Sequence, residues 1–237
     1  MEGFNHSTTI FELALKDFFE GKKDCPKVLI HNRFGEPDEM SPDVYFRDFE
    51  EMPEVELFAM ELCQGNTLDI GAGVGAHALY MQDLEKEVDA LEISKVSSDI
   101  MKKRGVRNVL NSDLFHFKPK KKYDTLLMMM NGIGLAESVE GITGLLNQAR
   151  TLLNPEGFII FDSSDVAYLW DKKRLSQSPY YGEISYQYQY GDLWGPWFQW
   201  LYIDTETMKK QCEKCGWDML VLYEDETDHY LGRLTRR

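Results

Sequence analysis

The sequence predicts an α/β protein built on a doubly wound, mostly parallel sheet, and three observations carry that prediction. From Thr67 onward, short apolar runs alternate with amphipathic helical patterns, as strands and helices do when both sheet faces are covered. The first run, Thr67-Leu68-Asp69-Ile70, passes directly into the alternating glycines Gly71, Gly73 and Gly75. Further on, Asn154-Pro155-Glu156-Gly157 signals a turn immediately ahead of another apolar run, Phe158-Ile159-Ile160-Phe161.

Residues 1–60 stand outside this alternation. They hold an amphipathic stretch over Thr8–Phe19, a polar, turn-rich piece from His31 to Asp43, and a helix expected from about Pro53 to Cys63. Strands are then expected at about 67–70, 88–93, 107–111, 123–130 and 157–162, with helices near 75–86, 95–104 and 137–153. A late helix over about 205–215 leads to a terminal hairpin of two strands, Asp218–Glu224 and Tyr230–Leu234. Residues 163–203 form a second addition, dense in Tyr and Trp; Tyr186-Gln187-Tyr188-Gln189-Tyr190 alternates as a strand does, and Gly191–Pro196 connects it to a returning strand. The expected organisation is an N-terminal lid over 1–60, a core domain over 61–237, and an aromatic cap at 163–203 within it.

In open α/β sheets, ligands bind beyond the carboxyl ends of the strands. Glycines in the turn after the first strand permit positive φ and remove the Cβ atoms that would hold a ligand off the backbone. Free N–H groups of the following helix face the same space. The turn therefore suits a nucleotide-like cofactor. Glu92, at the end of the second strand, follows Gly71 by 21 residues, near the roughly 20 expected of an acid that accepts from ribose hydroxyls. Asp113, after the third strand, can hydrogen-bond an adenine amino group while Leu114 covers one ring face. The fourth strand runs into Asn131-Gly132-Ile133-Gly134, another small-residue opening.

Asp69-Ile70-Gly71-Ala72-Gly73-Val74-Gly75 resembles the first motif of the class I S-adenosylmethionine-dependent methyltransferases. The resemblance covers roughly residues 61–237 and is strongest over 66–162; a looser likeness to small bacterial members lies in the aromatic-Trp-aromatic-x-x-Asp segment ending at Asp204. It implies a seven-stranded sheet, with the terminal hairpin supplying an antiparallel strand, and S-adenosyl-L-methionine as cofactor. It places cofactor contacts at Asp69, Gly71, Ala72, Gly73, Gly75, Glu92, Ile93, Asp113, Leu114 and Asn131. A competing reading, an NAD-dependent oxidoreductase, expects G-x-G-x-x-G, whereas the spacing here is G-x-G-x-G. A further alternative is a non-catalytic protein that binds the cofactor as a regulator.

Composition narrows the acceptor. With 26 basic and 40 acidic residues the formal charge is −14, which argues against nucleic acid and favours a small-molecule acceptor, a protein side chain being next. The basic runs Lys102-Lys103-Arg104 and Lys118–Lys122 read as solvated charge. The chain has no apolar run long enough to span a membrane and no secretory pattern, so a cytoplasmic protein is expected. Cys212 and Cys215 have zinc-type spacing without further ligands and read as helix packing, so no metal is expected. Methyl transfer from a sulfonium is an in-line displacement that positioning alone can accelerate, so no catalytic base is assigned. Asn131-Gly132-Ile133-Gly134 lacks the prolines and tyrosine of the Asn-Pro-Pro-Tyr tetrad found in some relatives. Trp194 and Trp200 are expected to line the acceptor pocket, between the cap and the segment around Tyr45–Phe49.

Overall fold

The computed structural model describes residues 4–170 and 179–237. Seven strands form the main sheet: β3 (Thr67–Ile70), β4 (Val88–Glu92), β5 (Val109–Asn111), β6 (Tyr123–Met128), β7 (Leu153–Ser164), β11 (Trp217–Glu224) and β12 (His229–Arg236). Their order is β11-β12-β7-β6-β3-β4-β5. The five strands β3 to β7 pair in parallel, while β12 runs antiparallel to both β7 and β11. This is the expected doubly wound sheet with its antiparallel C-terminal strand.

Alternation along the central strands sorts the core into two layers. Leu126 and Met128 of β6, with Ile159 and Phe161 of β7, face α5 (Gly141–Leu152) and α6 (Thr205–Lys214). Leu127, Phe158 and Ile160 face the other way, toward α2 (Glu54–Leu62), α3 (Ala76–Asp83) and α4 (Lys95–Arg104). Every residue of β3 and β4 is buried, as parallel strands covered on both faces require. Cys212 sits in the first layer, against Met208 and Trp217, as a small apolar residue.

Element boundaries depart from expectation where local geometry intervenes. The turn signal at Asn154–Gly157 does not end an element. Tyr123 pairs with Leu153 and Thr125 with Phe158, so these residues bulge out of β7. The fourth strand stops at Met128 because Met130 and Asn131 take left-handed conformations, with φ of 58° and 56°. The following helix starts only at Gly141, after a 3-10 stretch over Gly132–Ala136.

The two additions share a second, antiparallel sheet. It has the order β10-β8-β1-β2, and β9 also pairs with β8. Its strands are β1 (Val28–His31), β2 (Asp38–Met40), β8 (Glu183–Tyr190), β9 (Leu193–Trp194) and β10 (Phe198–Leu201). Val28 lies opposite Tyr190 and Ile30 opposite Tyr188, so the N-terminal segment is stitched to the aromatic stretch. Helix α1 (Phe4–Phe19) fastens this sheet to the main one: Ala14 packs with Val28 and Tyr190, and Leu15 packs with Val74 and Ile100. Burying a leucine of this kind stabilises by roughly 1.5–3 kcal/mol. Among the described residues, no helix is long and apolar enough to cross a membrane.

Candidate active site

The turn from β3 into α3 divides its three glycines between two tasks. All have positive φ, at 71°, 56° and 89°. At Gly71 an added Cβ would meet only a methyl of Leu135, at 3.7 Å, and at Gly73 only the Tyr45 ring, at the same distance. At Gly75 it would meet Val106 Cγ2 at 2.7 Å and Met101 Cγ at 3.0 Å. Gly71 and Gly73 therefore border free space, whereas Gly75 lets α3 close against α4. Ala72 is buried between them, its N–H donating to Leu91.

Two buried carboxylates flank this turn. Glu92 accepts from the Gly73 N–H at 2.9 Å and from the Ser94 N–H at 2.7 Å. Burial pushes its pKa up to about 7; the two backbone bonds oppose the rise, and Glu12 and Asp69 add to it. Asp69 is 2% exposed, and its Oδ2 has no hydrogen-bond partner. Burial raises its pKa to about 6, against the pull of His77. Buried polar atoms are nearly always paired, so an orphaned carboxylate oxygen beside a bare glycine backbone fits a ligand that donates hydrogen bonds and carries positive charge.

The remaining expected residues are distributed along the same strand ends. Asp113 caps the short 3-10 turn Leu114–His116, accepting from the Phe115 N–H at 2.9 Å and bonding the His116 ring. Leu114 is buried beneath it, while Ile93 is exposed. Asn111, which sequence reasoning missed, donates to the carbonyls of Glu92 and Ile93 at 2.9 Å and fixes that loop. The Asn131 side chain is committed to protein partners: it donates to the Leu201 carbonyl at 3.1 Å and accepts from Ser163 Oγ at 2.9 Å. Its backbone N–H donates to Asp162, whose other oxygen bonds His229 Nε2 at 2.9 Å.

A chain of aromatic rings roofs these strand ends. It starts on Tyr45 above Gly73 and passes through Phe11 (centroids 4.9 Å from Tyr45) to Tyr188 (5.3 Å). From there it runs through Phe198 (5.0 Å) to Trp200 (6.5 Å). The Trp200 indole fills the place of a side chain at Gly134, where an added Cβ would lie 2.1 Å from Nε1. The small-residue opening after β6 is thus the seat of Trp200. Trp194 lies on the other face of the second sheet, exposed and against His31, because it pairs with Gln189 and not with a tyrosine of β8.

One charged group behaves differently from its sequence reading, and a second is buried in an ionic cluster. Arg104 is no solvated end of a basic run: it donates to the carbonyls of Val74 at 2.8 Å and Phe46 at 3.0 Å, and burial lowers its pKa. His77 is buried on α3 and bonded to Glu56 at 2.7 Å, with Arg47 on the same carboxylate. Burial pushes the Glu56 carboxyl up and the His77 imidazole down, but their mutual bond, together with Arg47 beside Glu56 and the Asp69 charge near His77, outweighs it, lowering the former and raising the latter.

Comparison with known proteins agrees with this geometry. A family model described as a methyltransferase domain matches residues 34–222. An S-adenosylmethionine-dependent methyltransferase from Bacteroides fragilis, solved with S-adenosyl-L-homocysteine, is 34% identical, with a TM-score of 0.88 over 98% of this chain and 96% of that one. The CcbJ methyltransferase from Streptomyces caelestis is 15% identical, with a TM-score of 0.64 over 82% and 95% of the two chains. An amino pentose methyltransferase from Micromonospora echinaspora is also 15% identical, with a TM-score of 0.53 over 82% and 89%. These last two share the fold. A comparison with curated proteins finds no match. The chain belongs to the S-adenosylmethionine-dependent methyltransferases, with a class I fold and S-adenosylmethionine as its cofactor.

Proposed function

We propose that the chain methylates a small organic acceptor held beneath the aromatic roof, with the cofactor lying along the ends of β3, β4 and β5. When bound, the cofactor supplies an electrophilic methyl group on a sulfonium. In this reading Glu92 accepts from the ribose hydroxyls, and Asp113 and Leu114 hold the adenine with Ile93 at the edge of its site. Asp69 faces the cationic methionine end. Gly71, Ala72 and Gly73 give close backbone approach, Gly75 keeps the helix packed behind them, and Asn131 fixes the strand end under the methyl group. The 1–60 segment and the 163–203 insertion act as one lid that excludes water and orients the acceptor.

The observation that carries the acceptor assignment is the unbroken line of rings from Gly73 to Gly134, an aromatic wall suited to a compact organic molecule. The charge of −14 supports the same reading against nucleic acid. Four free cysteines accord with a reducing, cytoplasmic setting. The test is a screen of small amines, phenols and acids, beside mixed peptides and RNA, for S-adenosylhomocysteine release. Turnover on a small molecule is expected; turnover on a macromolecule alone would overturn the proposal.

A further inference from the structure

The roof has a chemical character of its own. Residues directly paired across a sheet share a face, and residues two apart along a strand share it too. Tyr188 lies opposite Ile30, which lies opposite Asp38; Tyr186 lies opposite Phe198, and Trp200 follows two positions on. Tyr202 packs its ring against Tyr186 at 6.5 Å, and Tyr45 joins from the N-terminal segment. One face thus gathers four half-buried phenols, two further aromatic rings and, at its exposed edge strand, a carboxylate.

The electrostatics of that face lean toward negative charge, with the Arg47 charge pulling the Tyr45 phenol the other way. Burial raises the Tyr45 pKa to about 12 and pushes Tyr186, Tyr188 and Tyr202 upward as well. Tyr186 and Tyr202 also feel Asp38, and Tyr202 feels Asp162. All four phenols stay neutral, with their π faces intact. The cations near this space are engaged elsewhere: Arg47 with Glu56, Arg104 with backbone carbonyls, His229 with Asp162 and Asp225. Asp38 has no basic partner among the described residues. Ring faces carry negative potential, so aromatic walls with a nearby carboxylate attract an organic cation and repel an anion.

We propose that this face recognises an organic ammonium, and that the methyl acceptor is therefore an amine; the inference rests on the acceptor-site reading of the roof given above. The ammonium is held against Tyr45, Tyr186, Tyr188 and Tyr202, with Asp38 at the rim. The bound ammonium first releases one proton to solvent at the exposed edge; the freed nitrogen lone pair then forms the N–C bond as the C–S bond breaks, the bonding pair staying on sulfur. The product is the methylated ammonium. A phenolate or carboxylate acceptor would instead face Asp38 and the negative ring faces.

Choline and 3,3-dimethylbutan-1-ol have the same shape and differ in charge, so they isolate this recognition. Each would be titrated calorimetrically into the whole protein saturated with S-adenosylhomocysteine. Choline is expected to bind at least about ten-fold more tightly than its neutral counterpart. Tyr186→Leu should reduce choline binding by about ten-fold, and Asp38→Asn, an exposed change that leaves the fold untouched, by about three-fold. Neither should alter the neutral compound's affinity comparably. Equal affinities for the two compounds, or a choline preference unchanged in Asp38→Asn and Tyr186→Leu, would overturn the proposal. Failure of S-adenosylhomocysteine itself to bind would strike the cofactor site instead, so the two readings fail separately.

Discussion

Arg104 donates from Nη1 to the Val74 carbonyl at 2.8 Å, so the last residue of α4 grips the middle of the glycine turn. Its other nitrogen holds the Phe46 carbonyl, and its guanidinium lies over the Phe46 ring at 5.2 Å. One side chain thus fixes the cofactor turn and the segment bearing Tyr45 in a single relation. Charged hydrogen bonds of this kind contribute about 1.5–3 kcal/mol. Arg104→Ala is expected to lower Tm by about 4–8 °C and to weaken cofactor binding, measured by thermal melts and calorimetry. An unchanged Tm would mean that the strut carries no load.

Glu92 should couple stability to pH in a direction opposite to most carboxylates. Its folded pKa is raised from 4.5 to about 7, so its favourable contribution is complete below pH 4.5 and is lost as pH rises through about 7. The loss is on the order of 3 kcal/mol. Glu92→Gln places a donor against backbone N–H groups, which costs stability at every pH, but it removes the slope. Chemical denaturation at several pH values, wild type against Glu92→Gln, measures that difference; parallel profiles would refute it.

The same residue should govern cofactor affinity. Glu92→Ala deletes an acceptor of two charge-assisted hydrogen bonds in the proposed complex, and S-adenosylhomocysteine affinity is expected to fall about ten- to a hundred-fold. Circular dichroism would establish that the variant is folded. Wild-type affinity in a folded Glu92→Ala protein would put the ribose elsewhere.

Removing Glu56 strands two buried partners, Arg47 and His77. Breaking a buried ion pair from one side destabilises by about 3–5 kcal/mol. Glu56→Ala is therefore expected to melt well below wild type, while Arg47→Met with Glu56→Leu and His77→Phe together should recover much of the loss. Recovery would be read from urea midpoints.

Gly134 and Trp200 occupy complementary space, and a methyl group at Gly134 would sit on the indole. Gly134→Ala should displace Trp200 from its seat. Steady-state kinetics with an acceptor from the screen are expected to show impaired turnover, with cofactor affinity within about two-fold of wild type. A variant with equal losses in both would tie Trp200 to the cofactor.

What could be read in the sequence was local or regularly spaced. Central strands announced themselves by apolar runs, and the interval from Gly71 to Glu92 is set by the length of one βαβ unit. Arg104 was hidden by its neighbours Lys102 and Lys103, although it continues the row Val96, Ile100 at four-residue intervals, and that row faces α1 and Phe46. Trp194 and Trp200 could not be told apart without strand register, since one residue of slip exchanges the faces. The pairing of β1 with β8 leaves no sequence trace, because partnership between strands so far apart in the chain is decided by tertiary contacts.

That pairing has a temporal side. His31 Nε2 and Gln189 Oε1 meet at 2.8 Å across 158 residues of sequence. At ordinary synthesis rates of 5–20 residues per second, the N-terminal strands wait roughly 8–30 s for β8 to be made. During that interval the Rossmann-like strands β3 to β7, whose connections are short, can already assemble. The roof over the strand ends then closes on a cofactor turn that is already built, ahead only of the C-terminal strands β11 and β12, which are made after it.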